Sequence, residues 1–412
     1  MAKNIKKFVN PKFTRTIGLG PMRRLLERHR EALALDLSIL DGDPGAARAA
    51  IQDFFAGPED NYSDGLVADL HRIAELGDAD GLRLLLDVAD RLCIAIAPGR
   101  DPDGGETCQD PKHLALRVFL DFPLVFETAS DMLAMAARSS LAEYAGVEEG
   151  IEAEVSDETK AAFEAAAAKM FEADHRGCYC RVGWYTDADE VNLVITHGSL
   201  VRTTPIVDSG AERVISFRAA EHAVLSYSAM AGRLKIGGVP KARSAEVAEM
   251  FAATMMQRPG FFAAQDAQNL YTLAPIERIG CGFTFNHAFD PGIREVQIVA
   301  AQADLMGVNP RTGQPRVLRS VSSRDGFDSA LAGLSDGMRG EPFGNDWRLN
   351  HIDIRIHFDV GGRRPAKVAV KIKPPTSASF KRHRFEDRIM TLLRRNGLVH
   401  DRFADLAAIA AE

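Results

Sequence analysis

A change of hydrophobic period at about residue 177 constrains this chain more than any motif it contains. Before that point apolar residues recur at helical spacing, as in Met22, Leu25, Leu26 and Leu33, and again in Leu66, Leu70, Ile73 and Leu76. After it come short runs rich in β-branched and aromatic residues: CYCRVGWY, VNLVIT, ERVISF, AVLSYS and RLKIGG, separated by Asp, Gly and Ser. Such runs predict an antiparallel meander, with 178–185 and 190–196 joined as a hairpin. A helix buries a stripe and a strand buries a face, so the two periods call for separate cores.

A chain of 412 residues also exceeds what one ordinary core organises. The expected fold class is therefore α+β and multidomain. Residues 1–174 form a helical domain with a basic N-terminal arm, and 175–265 a small antiparallel α+β domain. Residues 266–412 form an α+β domain ending in a long β-hairpin and a helix. Within the first, LDGDPGAARAAI (40–51) echoes LGDADGLRLLL (76–86) at a spacing of 36, so a short helical repeat is the alternative to an irregular helical domain. Ser156 is placed to cap an Ala-rich helix ending near Asp174. Further strands and helices are expected at Ile293–Ala300, Phe327–Leu334, 348–360, 366–373 and from about Arg384 to Arg395, with Gly397 as the last helix's stop.

Charge is distributed unevenly over this framework. Residues 1–30 carry a net of +8 and residues 363–402 a net of +9, while 31–362 carry −22 and the whole chain −7. A mildly acidic protein can thus still present a strong local field to an anion. The N-terminus, MAKNIKKFVNPKF, lacks the apolar segment a signal peptide needs, and the five cysteines are thinly spread. LALRVFLDFPLVF (114–126) is too short and too charged to span a bilayer. A cytoplasmic protein with no membrane partner is expected.

The C-terminal strand pair carries the strongest local pattern. In RLNHIDIRIHF, Ile352, Ile354, Ile356 and Phe358 alternate with His351, Asp353, Arg355 and His357; in KVAVKIK, Val368, Val370 and Ile372 alternate with Lys367, Lys371 and Lys373. For the two apolar faces to share a side, the paired residue numbers must sum to an even value. A sum of 724 puts Asp353 opposite Lys371, His357 opposite Lys367 and His351 opposite Lys373. One reading is a ribbon with a solvated face whose charges discourage edge aggregation. The functional reading is a basic ribbon that tracks phosphates, extended by Arg363 and Arg364 in its turn and by Lys381, Arg382 and Arg384 after it. Arg23 and Arg24, on the helix that follows GLGP, form a second candidate anion surface.

Other motifs fall short. His351 and His357 are about 20 Å apart along a strand, too far to share a metal ion. Cys178 and Cys180, near His175 and His197, lack zinc or redox spacing. The loop at Asp101 has Glu106 and Lys112 where a calcium loop needs Gly and Glu. GLGP lacks a dinucleotide or P-loop pattern. There is no nucleophile elbow around Ser199, and Asp290, Glu295 and Gln297 lack the lysine of a nuclease set.

No cofactor is expected. The leading expectation is a non-enzymatic, nucleic-acid-associated component of a larger bacterial assembly that contacts phosphate backbone through the C-terminal module, with the helical domain meeting a protein partner. A protein–protein adaptor whose basic ends meet an acidic partner is one alternative. An enzyme whose site is assembled from distant residues is another.

Overall fold

The computed structural model describes residues 8, 18–33, 35–57, 63–96, 111–138, 141–187, 190–208, 210–344, 346–361, 365–380 and 385–400. It is a multidomain α+β protein: helices come first, followed by three antiparallel sheets. Contacts divide the chain into two compact units, Met1–Ala134 and Met135–Glu412. Among the described residues no helix is long and apolar enough to cross a membrane.

The first unit is built from α1 (Leu19–Glu27), α2 (Pro44–Ala56), α3 (Asp64–Glu75), α4 (Ala79–Arg91), α5 (Pro111–Asp121) and the start of α6 (Pro123–Ala136). Their stripes bury Leu25, Leu26, Ile51, Leu70, Leu85 and Val118 in one core. Asp43 caps α2 by accepting from the Ala46 amide, and Asp78 caps α4 by accepting from Asp80 and Gly81. The echo at a spacing of 36 thus coincides with two helix starts built on the same capping chemistry.

The second unit begins with a five-stranded sheet ordered β1-β7-β6-β3-β2. Its strands are β1 (Ala142–Ala145), β2 (Cys180–Asp187), β3 (Glu190–Gly198), β6 (Ala220–Ser228) and β7 (Arg233–Gly237). Two helices, α7 (Asp157–Ala173) and α8 (Ser244–Met255), cover one face: Phe163, Phe171, Val247 and Phe251 share a core with Leu193, Ile195, Leu225 and Leu234. Ser156 and Thr159 form the capping box of α7. That helix, expected with residues 1–174, therefore packs on the sheet, where Phe163, Ala167, Met170 and Phe171 find their buried partners.

The expected meander is also interrupted. ERVISF lies in β5 (Ala211–Phe217), which pairs with β4 (Arg202–Asp208) as a separate two-stranded arm. β3 pairs directly with β6 across this insertion. Neither arm strand shows an alternating buried face, which is why the run does not belong to the sheet.

The other sheet is ordered β12-β11-β10-β8-β9. It comprises β8 (Ile293–Val308), β9 (Pro315–Arg324), β10 (Trp347–Phe358), β11 (Ala366–Lys373) and β12 (Ser377–Ser379). The short α9 (Ala274–Ile279), α10 (Ala330–Gly337) and α11 (Glu386–Arg395) complete this part. Ile352, Ile354, Ile356, Phe358, Val368, Val370 and Ile372 share a core with Leu331 and Leu334 of α10 and with Ile389, Leu392 and Leu393 of α11. α10 begins three residues later than the apolar pattern predicts because Ser329 is its N-cap, accepting from the Leu331 amide. Gly397 ends α11 at a φ of 69°, a left-handed conformation that favours glycine.

The two sheet-bearing parts are joined by a buried polar seam. Tyr271 donates to the carboxylate of Glu143 on β1 at 2.7 Å, with the Arg233 guanidinium 3.8 Å away. On β7, Lys235 pairs with Glu386 at the start of α11. Burial raises the Glu143 pKa, against the pull of Lys235, the Tyr271 hydroxyl and Arg233. A carboxyl raised on folding adds stability below the ordinary glutamate range, and that contribution fades as pH rises through the folded value. Glu143→Gln, neutral throughout, should therefore lose less stability than wild type between about pH 5 and pH 8. Urea midpoints at the two pH values check this; a larger loss for the variant contradicts it.

Candidate nucleic-acid interface

Strand alternation sends one side of the β8–β12 sheet into the core and leaves the other to solvent. β10 and β11 pair with Asp353 opposite Lys371 and His357 opposite Lys367, the register the even-sum rule predicts. The pairing of these two strands begins at Ile352 and Ile372; His351 lies opposite Gln302 of β8, and Lys373 opposite Ser377 of β12.

The solvent side of β11 is formed by exposed Lys367, Ala369, Lys371 and Lys373, and that of β10 by half-buried His351, Asp353, Arg355 and His357. β8 and β9 extend this face with Glu295, Gln297, Gln302, Ser322 and Arg324, and β12 adds Ser377 and Ser379. A shallow groove of about 450 Å³ lies on it, lined in part by Arg324, Asp353, Arg355, Lys371 and Ser379.

Five cations here meet Asp353 and Glu295, with Asp325 at the groove and Asp304 at the edge of the face. Lys371 lies 3.7 Å from Asp353, and Glu295 lies 3.1 Å from His357. The Lys371 side chain is 46% exposed, so its ion pair is worth at most about 1 kcal/mol and is readily exchanged for another anion. Arg324, Arg355, Lys367 and Lys373 have no carboxylate partner among the described residues. Burial, then the nearby charges of Lys371 and Lys373, push the His351 pKa below the usual imidazole value. His351 is thus a neutral group at physiological pH, donating through Nδ1 to the Asn350 side-chain oxygen at 3.1 Å.

At the edge of the face, buried Asp304 accepts from Gln302, Ser320 and Asn350 at 2.7–2.9 Å. Burial opposes its ionisation, but these three hydrogen bonds outweigh it and lower its pKa. The carboxylate therefore stays ionised, organising the edge and placing one negative charge beside the cations of the face.

The N-terminal candidates differ. Arg23 pairs with Glu27 at 2.8 Å and also with Asp41, and Arg24 pairs with Asp121. Arg28 donates to the Leu120 carbonyl and lies over the Phe119 ring. α1 thus directs its guanidiniums to groups of its own unit. Arg363, Arg364, Lys381, Arg382 and Arg384 lie outside the described residues.

Rejected chemistries find structural counterparts. Arg388 grips Asp290 through two bonds of 2.7 and 2.8 Å, and Gln297 donates to the Asp328 carbonyl, so the loose carboxylate set serves packing. Burial pushes the Cys180 thiol up to about 12, away from the thiolate that metal binding or redox chemistry requires. His197 is buried and stacked on Phe171 at 3.8 Å. Among the described residues no group of three His, Cys, Asp or Glu side chains could hold a metal ion.

Sequence reasoning found the β10–β11 half of this face and missed Arg324, Ser322 and Gln302. Arg324 and Ser322 lie on β9, PRVLRSVSSR, which alternates weakly, and Gln302 lies on its partner β8, which shifts register against β9 between Leu305 and Met306. No protein-family model, curated protein or solved structure matches the chain.

Proposed function

We propose that this chain is a non-enzymatic, nucleic-acid-associated protein that contacts phosphate backbone through the solvent face of the β8–β12 sheet. It would act in the cytoplasm as an accessory subunit of a larger bacterial assembly. One observation carries the reading: Arg324, Arg355, Lys367, Lys371 and Lys373 share an open face, and among the described residues only Lys371 of these has a carboxylate within ion-pairing distance. Lysines and arginines on a rigid sheet, interleaved with Ser and Gln, are the groups that meet phosphate oxygens. Binding should tighten as salt falls and vary little among unrelated sequences. Fluorescence anisotropy over a salt series tests this; absence of binding, or binding indifferent to salt, rejects it.

A second reading, the protein–protein adaptor, is favoured by the β4–β5 arm. Val207 and Val214 there are 81% and 67% exposed, and an isolated two-stranded hairpin is marginal in water. A protein partner covering this arm is compatible with nucleic acid on the other sheet.

A further inference from the structure

Phe327 is 95% exposed, more than any other large apolar side chain among the described residues. A lone surface aromatic is ordinary, but this one is held in place. The Asp325 carboxylate accepts from the Phe327 amide at 2.7 Å and the Asp328 amide at 2.9 Å. The Asp325 amide donates to Val299 of β8 at 3.0 Å, and Gln297 of β8 donates to the Asp328 carbonyl at 3.1 Å. The backbone on both sides of Phe327 is thereby fastened to the sheet, while its ring contacts little.

The same turn borders the basic groove, whose lining includes Arg324, Asp325, Gly326, Arg355 and Lys371. The lining contains no aromatic side chain of its own. Of its two carboxylates, Asp325 is occupied by the turn amides and Asp353 lies beside Lys371. What the groove offers is positive charge, bordered by an anchored turn that carries one exposed ring next to Gly326.

We infer that the preferred ligand is single-stranded nucleic acid, with Phe327 stacking on an unpaired base while Arg324, Arg355 and Lys371 hold the adjoining phosphates. The inference rests on the phosphate-contact reading and adds a base contact to it. In a duplex the bases are already stacked and paired, so a ring at the rim gains nothing without unstacking them. In a single strand a free π-face is available on every nucleotide, and stacking tolerates any sequence.

The test uses the full chain, a labelled 20-nucleotide oligothymidine and a mixed-sequence duplex of equal charge, with anisotropy as the readout. The oligothymidine should bind more tightly than the duplex. Phe327→Ala should weaken oligothymidine binding about tenfold, leaving its salt slope and the duplex affinity unchanged. Phe327→Trp should bind at least as well as wild type, and the new indole should be quenched on binding. Because the side chain is exposed, both variants should melt with wild type. Unchanged single-strand affinity in Phe327→Ala, or a preference for duplex, overturns the inference while lysine-dependent binding keeps the phosphate reading. Failure of wild type to bind either ligand overturns both.

Discussion

Reversing two charges at once, Lys371→Glu with Lys373→Glu, should weaken nucleic-acid binding roughly 10- to 100-fold at about 0.1 M salt, and by the same factor for every sequence. Both side chains point away from the core, since their strand neighbours Val370 and Ile372 are the buried ones. The ion pair that the first substitution removes is half exposed and contributes little to folding. Affinity and stability should therefore separate: binding falls while the melting temperature moves by no more than a degree or two. A loss confined to one sequence would indicate base readout at these positions. A loss accompanied by early melting would mean that the lysines serve the fold instead.

The second large effect lies beneath that face. Phe358 closes the apolar side of β10, is fully buried, and stacks on Phe385 with ring centroids 4.2 Å apart. The Arg388 guanidinium lies 4.8 Å from its ring centre while gripping Asp290. Phe358→Ala would remove this contact and open a cavity between β10 and the start of α11, at a cost of about 3–5 kcal/mol. Chemical denaturation should show the loss directly. A cost under about 1 kcal/mol would mean that the ring is dispensable, in conflict with its place in the core.

What the sequence made legible followed from how local each signal was. The β10–β11 register could be read because a short connection and two clean alternations leave few ways to pair. The helices around Leu70 and Phe163 could be read from their stripes and caps, although α7's partner could not: its Ala-rich face gave no sign of which layer it would join. The pairing of β8 with β10 spans some fifty residues and carries three register irregularities, so no local pattern announced it. Arg324 entered the basic face only through that pairing. Phe327 looked like a helix residue because it precedes an apolar run, and the Asp325 turn with the Ser329 cap moved it outside the helix. At the N-terminus a charge count alone does not show which cations are already paired. Composition counts cations, while Glu27, Asp41 and Asp121 answer two of them within the same unit.

The central claim is that lysines on the β8–β12 face each neutralise a phosphate. It is tested most directly by the slope of log Kd against log salt concentration, measured on one oligonucleotide for wild type and for the Lys371→Glu, Lys373→Glu variant. Loss of two phosphate contacts should make the variant's slope shallower by about two. Equal slopes for the two proteins would contradict the claim and place the binding surface elsewhere.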